Sequence, residues 1–276
     1  MIPQPTEPKP LLIIETDPPS EPVTEPIVTG WVKEGDRVFY HDLAGTPVTG
    51  WQIIEGTTYY FYPDGTMATG EVEIEGARYH FTSQGKRVIL VNPWNFIPAD
   101  YEPELVELPS PYGVEGSTVD SSCLEALKAM IDACNSACPQ VMVLSSYRSQ
   151  EHQQRNFDRK VKTYMDRGYS REDAEKEAAT IIAVPGTSEH QLGLALDIVD
   201  TRLWALEEEQ ENLPAQKWLM EHCWEYGFIL RYPKDKIDVT GIIYEPWHYR
   251  YVGKELSAEL HDLGLTLEEY LNNLTQ

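Results

Sequence analysis

Cysteine is scarce: four residues in 276, at Cys123, Cys134, Cys138 and Cys223. That is too few and too irregular for a disulfide scaffold, and the 134/138 pair has no second pair to complete a cysteine zinc site. These residues read as small apolar core side chains, with one disulfide left open if the protein is secreted. Long apolar runs are missing too. The longest early one is LLII at 11–14, far short of the roughly 20 residues that span a bilayer, so no transmembrane span is expected. Basic residues are outnumbered, 22 Lys and Arg against 45 Asp and Glu, for a net charge of −23. Phosphate-rich partners would be repelled, which excludes nucleic acid and anionic lipid. The acidity is spread along the chain and serves solubility. The start, MIPQPTEPKP, has neither a basic n-region nor an apolar h-region, so a secretory signal has been removed or was never there.

What is present falls into three regions. Residues 1–27 hold eight prolines, several acidic residues and almost no aromatics; such a stretch cannot build a core and reads as an extended linker. Residues 28–90 repeat. Gly30, Gly50 and Gly70 recur every twenty residues, VTGW occurs at 28–31 and 48–51, and Phe39-Tyr40, Tyr59-Tyr60 and Tyr79-His80 keep the period. The turn formers LAGT, PDGT and SQGK follow in each repeat. This pattern predicts a row of β-hairpins, each too small to stand alone and able to stack on the next.

GWQIIEGTTYYFYPDGTMATG resembles the cell-wall-binding repeats of choline-binding and glucan-binding surface proteins, over residues 28–89. The resemblance implies aromatic cages for choline or platforms for sugar rings, held by stacking and cation–π attraction. Trp31, Trp51, Tyr59, Tyr60 and Tyr79 are the candidates. They are equally suited to being hairpin cores, and Glu71 stands where a third Trp would complete the pattern.

Residues 91–276 change to alternating helices and strands. Periodicity predicts helices over 119–137, 150–168, 170–182, 214–228, 253–263 and 266–273, and strands over 140–145, 228–232, 241–245 and 247–252. The fold class expected is α+β, with a small, mainly antiparallel sheet and helices.

The chemistry lies in two segments. In PGTSEHQLGLALDIVD (185–200), Leu194, Leu196 and Ile198 alternate with Ala195, Asp197 and Val199, a strand with Asp197 away from its most apolar face. His190 precedes it by an odd spacing, so a turn at Gly193 is required to bring His190 and Asp197 together. In YEPWHYRYV (244–252), Glu245 and His248 flank Pro246 and Trp247, and the proline predicts a bulge or an edge strand. Two histidines, an aspartate and a further glutamate suit hydrolytic zinc: three ligands, an open position for water, and an unligated carboxylate to take its proton. The residues alone leave the ordinary reading open, in which each is structural or solvated.

SEHQLGLALD with EPWHYRYV, preceded by SSYRSQEHQ, resembles the zinc D-alanyl-D-alanine carboxypeptidases of the VanY type. These share a superfamily with the VanX dipeptidases and the LD-carboxypeptidases, and the match runs over about residues 95–260. It implies the zinc D-Ala-D-Ala carboxypeptidase fold, Zn2+ held by His190, Asp197 and His248, Glu245 as general base, and Arg148 at the developing oxyanion. Gln153 and Ser188 match substrate-contacting positions. The expected activity is removal of the C-terminal D-alanine from peptidoglycan stem peptides by an extracytoplasmic, wall-associated or secreted enzyme. An L,D-carboxypeptidase on tetrapeptide stems and a non-catalytic, zinc-clipped wall-binding protein are the alternatives. Trp247 and Tyr249 read as core, His152 and His222 as surface residues, and EEEQE (207–211) as a solvated helix face or loop.

Overall fold

The computed structural model describes residues 27–99, 101–138 and 140–274. The linker expected over 1–27 lies outside them except for Ile27. Three hairpins come first, each its own antiparallel sheet: β1 (Gly30–Glu34) with β2 (Arg37–His41), β3 (Gly50–Ile54) with β4 (Thr57–Phe61), and β5 (Gly70–Ile74) with β6 (Ala77–Phe81). Glu55-Gly56 and Glu75-Gly76 turn the second and third with positive φ at both central residues. That handedness matches the twist of paired strands, and glycine carries it without strain. A short strand β7 (Arg87–Val88) adds to the third sheet. Hairpins stack through buried Phe61 and Phe81 and through backbone bonds such as Met67 N–H to the Val38 carbonyl, 2.8 Å.

The third hairpin is tied to the rest of the chain. Ser83 N–H donates to Tyr270 Oη at 3.1 Å, Lys86 pairs with Glu255, and Val88 and Leu90 are buried with Leu256, Leu260, Leu267 and Leu271.

Beyond it, β8 (Leu105–Glu107) pairs with β9 (Thr118–Asp120), followed by α1 (Leu124–Ala137), β10 (Val141–Ser145), α2 (Gln150–Asp166) and α3 (Arg171–Ala179). Ser149 Oγ and Ser170 Oγ cap α2 and α3 by accepting from His152 N–H and Asp173 N–H, which satisfies otherwise orphaned donors. Then come β11 (Ala195–Asp200), α4 (Pro214–His222), β12 (Phe228–Leu230), α5 (Ile237–Thr240), β13 (His248–Tyr251), α6 (Lys254–Leu263) and α7 (Leu267–Leu274). The main sheet has the order β10-β11-β13-β12, antiparallel throughout. One face buries Leu127, Met130 and Ile131 of α1 and Leu219 of α4 against Val143, Leu196, Ile198 and Tyr249. The fold class is the expected α+β.

Four local expectations need correction. Residues 118–120 are strand, so the first helix begins only at Leu124. The helix expected over 214–228 stops at His222 and continues as a tighter 3-10 turn. No strand forms over 241–245, because its amides bond to separate elements: Ile243 N–H to the Thr180 carbonyl and Glu245 N–H to the Tyr232 carbonyl. Finally, Pro246 makes neither a bulge nor an edge. It sits in the turn closed by His248 N–H to the Glu245 carbonyl at 3.2 Å, where its fixed φ suits the second turn position, and β13 after it is an interior strand. All four cysteines are free, with Cys123, Cys134 and Cys223 buried in the core as expected.

Candidate active site

Sheet register builds the site. Asp197 on β11 lies directly opposite His248 on β13 and opposite Ser145 on β10, so the three share one face, away from α1 and α4. His190 reaches that face from a 3-10 turn at Glu189–Leu192, which Gly193 ends at φ 72°. A side chain at Gly193 would meet the Asp120 backbone nitrogen at 2.9 Å, so both the left-handed backbone and the close approach call for glycine. The turn inferred between His190 and Asp197 is therefore present.

Three donor atoms converge. His190 Nε2 and His248 Nδ1 each lie 3.2 Å from Asp197 Oδ1, with the two imidazole rings perpendicular and 4.9 Å apart. His190 Nδ1 is 2.8 Å from the Ser146 carbonyl; a carbonyl can only accept, so Nδ1 carries the proton and the Nε2 lone pair faces inward. His248 Nε2 faces Glu189 Oε2 at 3.8 Å, which favours its proton there and leaves Nδ1 inward. Asp197 Oδ1 is buried with no hydrogen-bond donor of its own among the described residues. Two inward-facing imidazole nitrogens and a carboxylate oxygen within 4.8 Å of one another fit a small divalent cation with nitrogen and oxygen preference, as zinc has, once it displaces the proton on His248.

Charge is unevenly distributed around that point. Burial, with the Arg148 guanidinium beside it, holds His190 down at about 4. Burial opposes protonation of His248 as well, but the carboxylates of Asp197, Glu189 and Glu245 hold it up at about 9. Burial would raise Asp197, yet His190, His248 and Arg148 keep it well below the usual carboxylate range. Glu245 lies 3.4 Å from His248 Nδ1. Burial, reinforced by the Asp197 charge, pushes its carboxyl up to about 7 against the pull of His248 and Arg148. A carboxyl poised there can both take and give a proton near neutrality.

Arg148 Nη2 donates to Asp197 Oδ2 at 2.7 Å and to Ser145 Oγ at 2.9 Å, so the strand tip holds the guanidinium firmly at the cleft. Gln153 is fully buried; its Nε2 donates to the Ala183 carbonyl at 2.7 Å, while its Oε1 has no partner among the described residues. Gln153 and Ser188 line the same cleft, of about 250 Å³, as the two histidines, Asp197, Glu245 and Arg148. Trp247, read as core, lines it too, whereas Tyr249 is core, its hydroxyl donating to Gln216 Oε1 at 2.8 Å.

Two families of model match this chain. Residues 116–254 match the model described as D-alanyl-D-alanine carboxypeptidase, and residues 48–89 match the choline-binding repeat. The chain belongs to the VanY D-alanyl-D-alanine carboxypeptidase family. A D-alanyl-D-alanine carboxypeptidase of Enterococcus faecalis is 44% identical over 185 residues, covering 67% of this chain and 65% of the relative's length. Among solved structures, a variant of the vancomycin-resistance D,D-pentapeptidase VanY in complex with Zn(II) is 43% identical, covering 66% of this chain and 97% of its own, with TM-score 0.59. The LD-carboxypeptidase LdcB is 34% identical, covering 74% of this chain and 94% of its own, with TM-score 0.60.

Several buried residues of the site were not singled out from the sequence. Glu189 is fully buried beside both histidines and pairs with Arg231 Nε at 2.8 Å and Arg250 Nη1 at 2.9 Å. Arg231 forks onto Glu268 of α7 at 2.9 and 2.6 Å. Tyr232 packs its ring 4.7 Å from that of His248. The available signal was a charge inside apolar surroundings, Arg231 directly after the strand FIL and Arg250 within HYRYV.

In the repeats, Trp31 packs edge-on to Tyr40 and Tyr59, and Trp51 to Tyr60 and Tyr79. Both tryptophans stay exposed, at 46% and 40%, while Tyr59 is buried to 7%. These aromatics are hairpin core and surface at once.

Proposed function

We propose that this chain is a zinc-dependent D-alanyl-D-alanine carboxypeptidase that removes the terminal D-alanine from peptidoglycan stem peptides, outside the membrane and at the wall. The observation that carries this reading is Glu245: a buried carboxyl 3.4 Å from His248 Nδ1, beside three convergent donors yet outside their set. A purely structural metal clip has no use for it. His190 Nε2, Asp197 and His248 Nδ1 would hold Zn2+, which supplies Lewis acidity and a water of lowered pKa.

The chain's own groups do the rest. Glu245 takes a proton from the attacking water and returns it to the departing amine of D-alanine, so one water splits one amide bond into a carboxylate and an amine. Arg148, anchored through Asp197 and Ser145, faces the scissile carbonyl and stabilises the negative oxygen, a contribution of about 3–4 kcal/mol for a single donor. Gln153 Oε1, which has no partner among the described residues, offers a buried acceptor to a substrate N–H. Ser188 contributes a hydroxyl to the same wall, and Trp247 gives an apolar side.

Residues 28–90 serve as a wall-binding module and 91–276 as the catalytic domain. Aromatic cages suit choline, and stacked rings suit wall polysaccharide; either raises the enzyme's concentration at a polymeric substrate. No described helix is long and apolar enough to cross a membrane.

L,D-carboxypeptidase activity is the second reading, favoured by the longer stretch of chain shared with LdcB. Incubation with stems ending in D-Ala-D-Ala and in a single D-Ala, with products identified by mass, separates the two. Loss of one D-alanine from the longer stem alone supports the proposal. Trimming of the shorter stem alone moves the chain to the L,D class, and no cleavage of either sinks both.

A further inference from the structure

The two aromatic clusters of the repeat module are copies one period apart that differ at one decisive position. Trp31 lies 5.0 Å from Tyr59 and 6.2 Å from Phe61, with interplanar angles of 65° and 38°. Trp51 lies 4.8 Å from Tyr79 and 5.9 Å from Phe81, at 68° and 38°. Opposite the inner phenylalanine, the first cluster has Met67 bridged to Phe61, and the second has Arg87 bridged to Phe81. An uncharged thioether thus stands where, twenty residues on, a guanidinium stands.

The consequences for a ligand are opposite. Trp31, Tyr59 and Met67 line one cavity of about 520 Å³, ample for a trimethylammonium group. Lys33, Lys86 and Glu255 line it as well, the last two paired with each other. In the second cluster the Arg87 guanidinium lies over both rings, 4.9 Å from the Tyr79 centroid and 5.5 Å from that of Trp51. An aromatic face attracts a cation through its quadrupole, and here the chain supplies that cation itself. A second cation would find both ring faces already covered. A third cluster cannot form, because Glu71 replaces the tryptophan and faces Arg78 and His80 at 3.8 and 3.4 Å.

We infer that the repeat module has one open cage, at Trp31, Tyr59 and Met67, and one cage filled from within by Arg87, so that each chain takes a single quaternary ammonium group. This rests on the reading of the repeats as a choline-binding module. The open cage adjoins α6 through Glu255, so a wall polymer held there is held beside the catalytic domain.

Equilibrium dialysis of the zinc-loaded full chain against labelled choline chloride tests this, with the uncharged carbon isostere of choline as control. The wild type should bind one choline and none of the isostere, Trp31→Ala none, and Arg87→Met two. Arg87→Met together with Trp31→Ala should bind one. Arg87→Met installs the residue already at the equivalent place in the preceding repeat, and an unchanged circular-dichroism melt confirms its fold. Two sites in the wild type, or no site gained in Arg87→Met, would overturn the filled cage while leaving choline binding intact. No binding in the wild type but one site in Arg87→Met would overturn the open cage. No binding in either removes the choline reading of the repeats and this inference with it.

Discussion

Glu189→Gln tests how far a buried ion cluster supports the site above it. Glu189 stands 2.8 Å from Arg231 and 2.9 Å from Arg250, and Arg231 also forks onto Glu268. Two guanidiniums therefore face two carboxylates, and all four residues are buried. The amide keeps the shape of Glu189 but leaves Arg231 with Glu268 alone and Arg250 with only the backbone carbonyls of Tyr251 and Ile89. Removing one partner of a buried pair costs about 3–5 kcal/mol. At about 2–4 °C of Tm per kcal/mol for a domain of this size, the melting temperature should fall by about 6–20 °C. Calorimetry on protein stripped with a chelator measures the fold without counting lost metal. Zinc affinity, measured separately, should drop about 10- to 100-fold, because the His248 Nε2 proton loses its carboxylate partner. A Tm shift under about 2 °C with unchanged zinc affinity would refute the reasoning on both counts.

Zinc binding should displace the proton that the metal-free chain keeps on His248 up to about 9. The apparent affinity should then rise about tenfold per pH unit between neutrality and that value, and titration calorimetry in buffers of different ionisation enthalpy counts the released proton. In the repeats, burial lowers the pKa of His80 below its ordinary 6.5, against the pull of Glu71. Unfolded His80 thus binds a proton that the folded state resists, so stability present above about 6.5 is lost as pH falls through the folded value. Thermal melts at about pH 7.5 and about pH 5.5 should show that loss, and His80→Gln should lessen it.

The parts of the site legible in the sequence were those that local geometry determines. His190 and Asp197 could be joined only by a turn, and Gly193 supplied the one residue suited to it. The twenty-residue period specified the hairpins, since each turn and each aromatic strand repeats its own chemistry. Tertiary partners decided the rest. Residues 241–245 have strand-like composition but find separate acceptors in Thr180 and Tyr232. Pro246 looked like an edge marker, yet a proline at a turn just before a strand leaves that strand free to be central. Glu189 carries no local sign of burial, because its counter-charges, Arg231 and Arg250, arrive from β12's end and from β13. Arg87 likewise shows its cation–π role only once Trp51 of one hairpin is stacked against Tyr79 of the next.

The most direct test of the account is Glu245→Gln, assayed for metal content and for D-alanine release from a pentapeptide stem. Because Glu245 is placed outside the donor set, the variant should bind one Zn2+ per chain as the wild type does, while release of D-alanine falls by about 10²- to 10⁴-fold. Wild-type release from a zinc-loaded variant would contradict the account, and so would loss of the metal together with the activity.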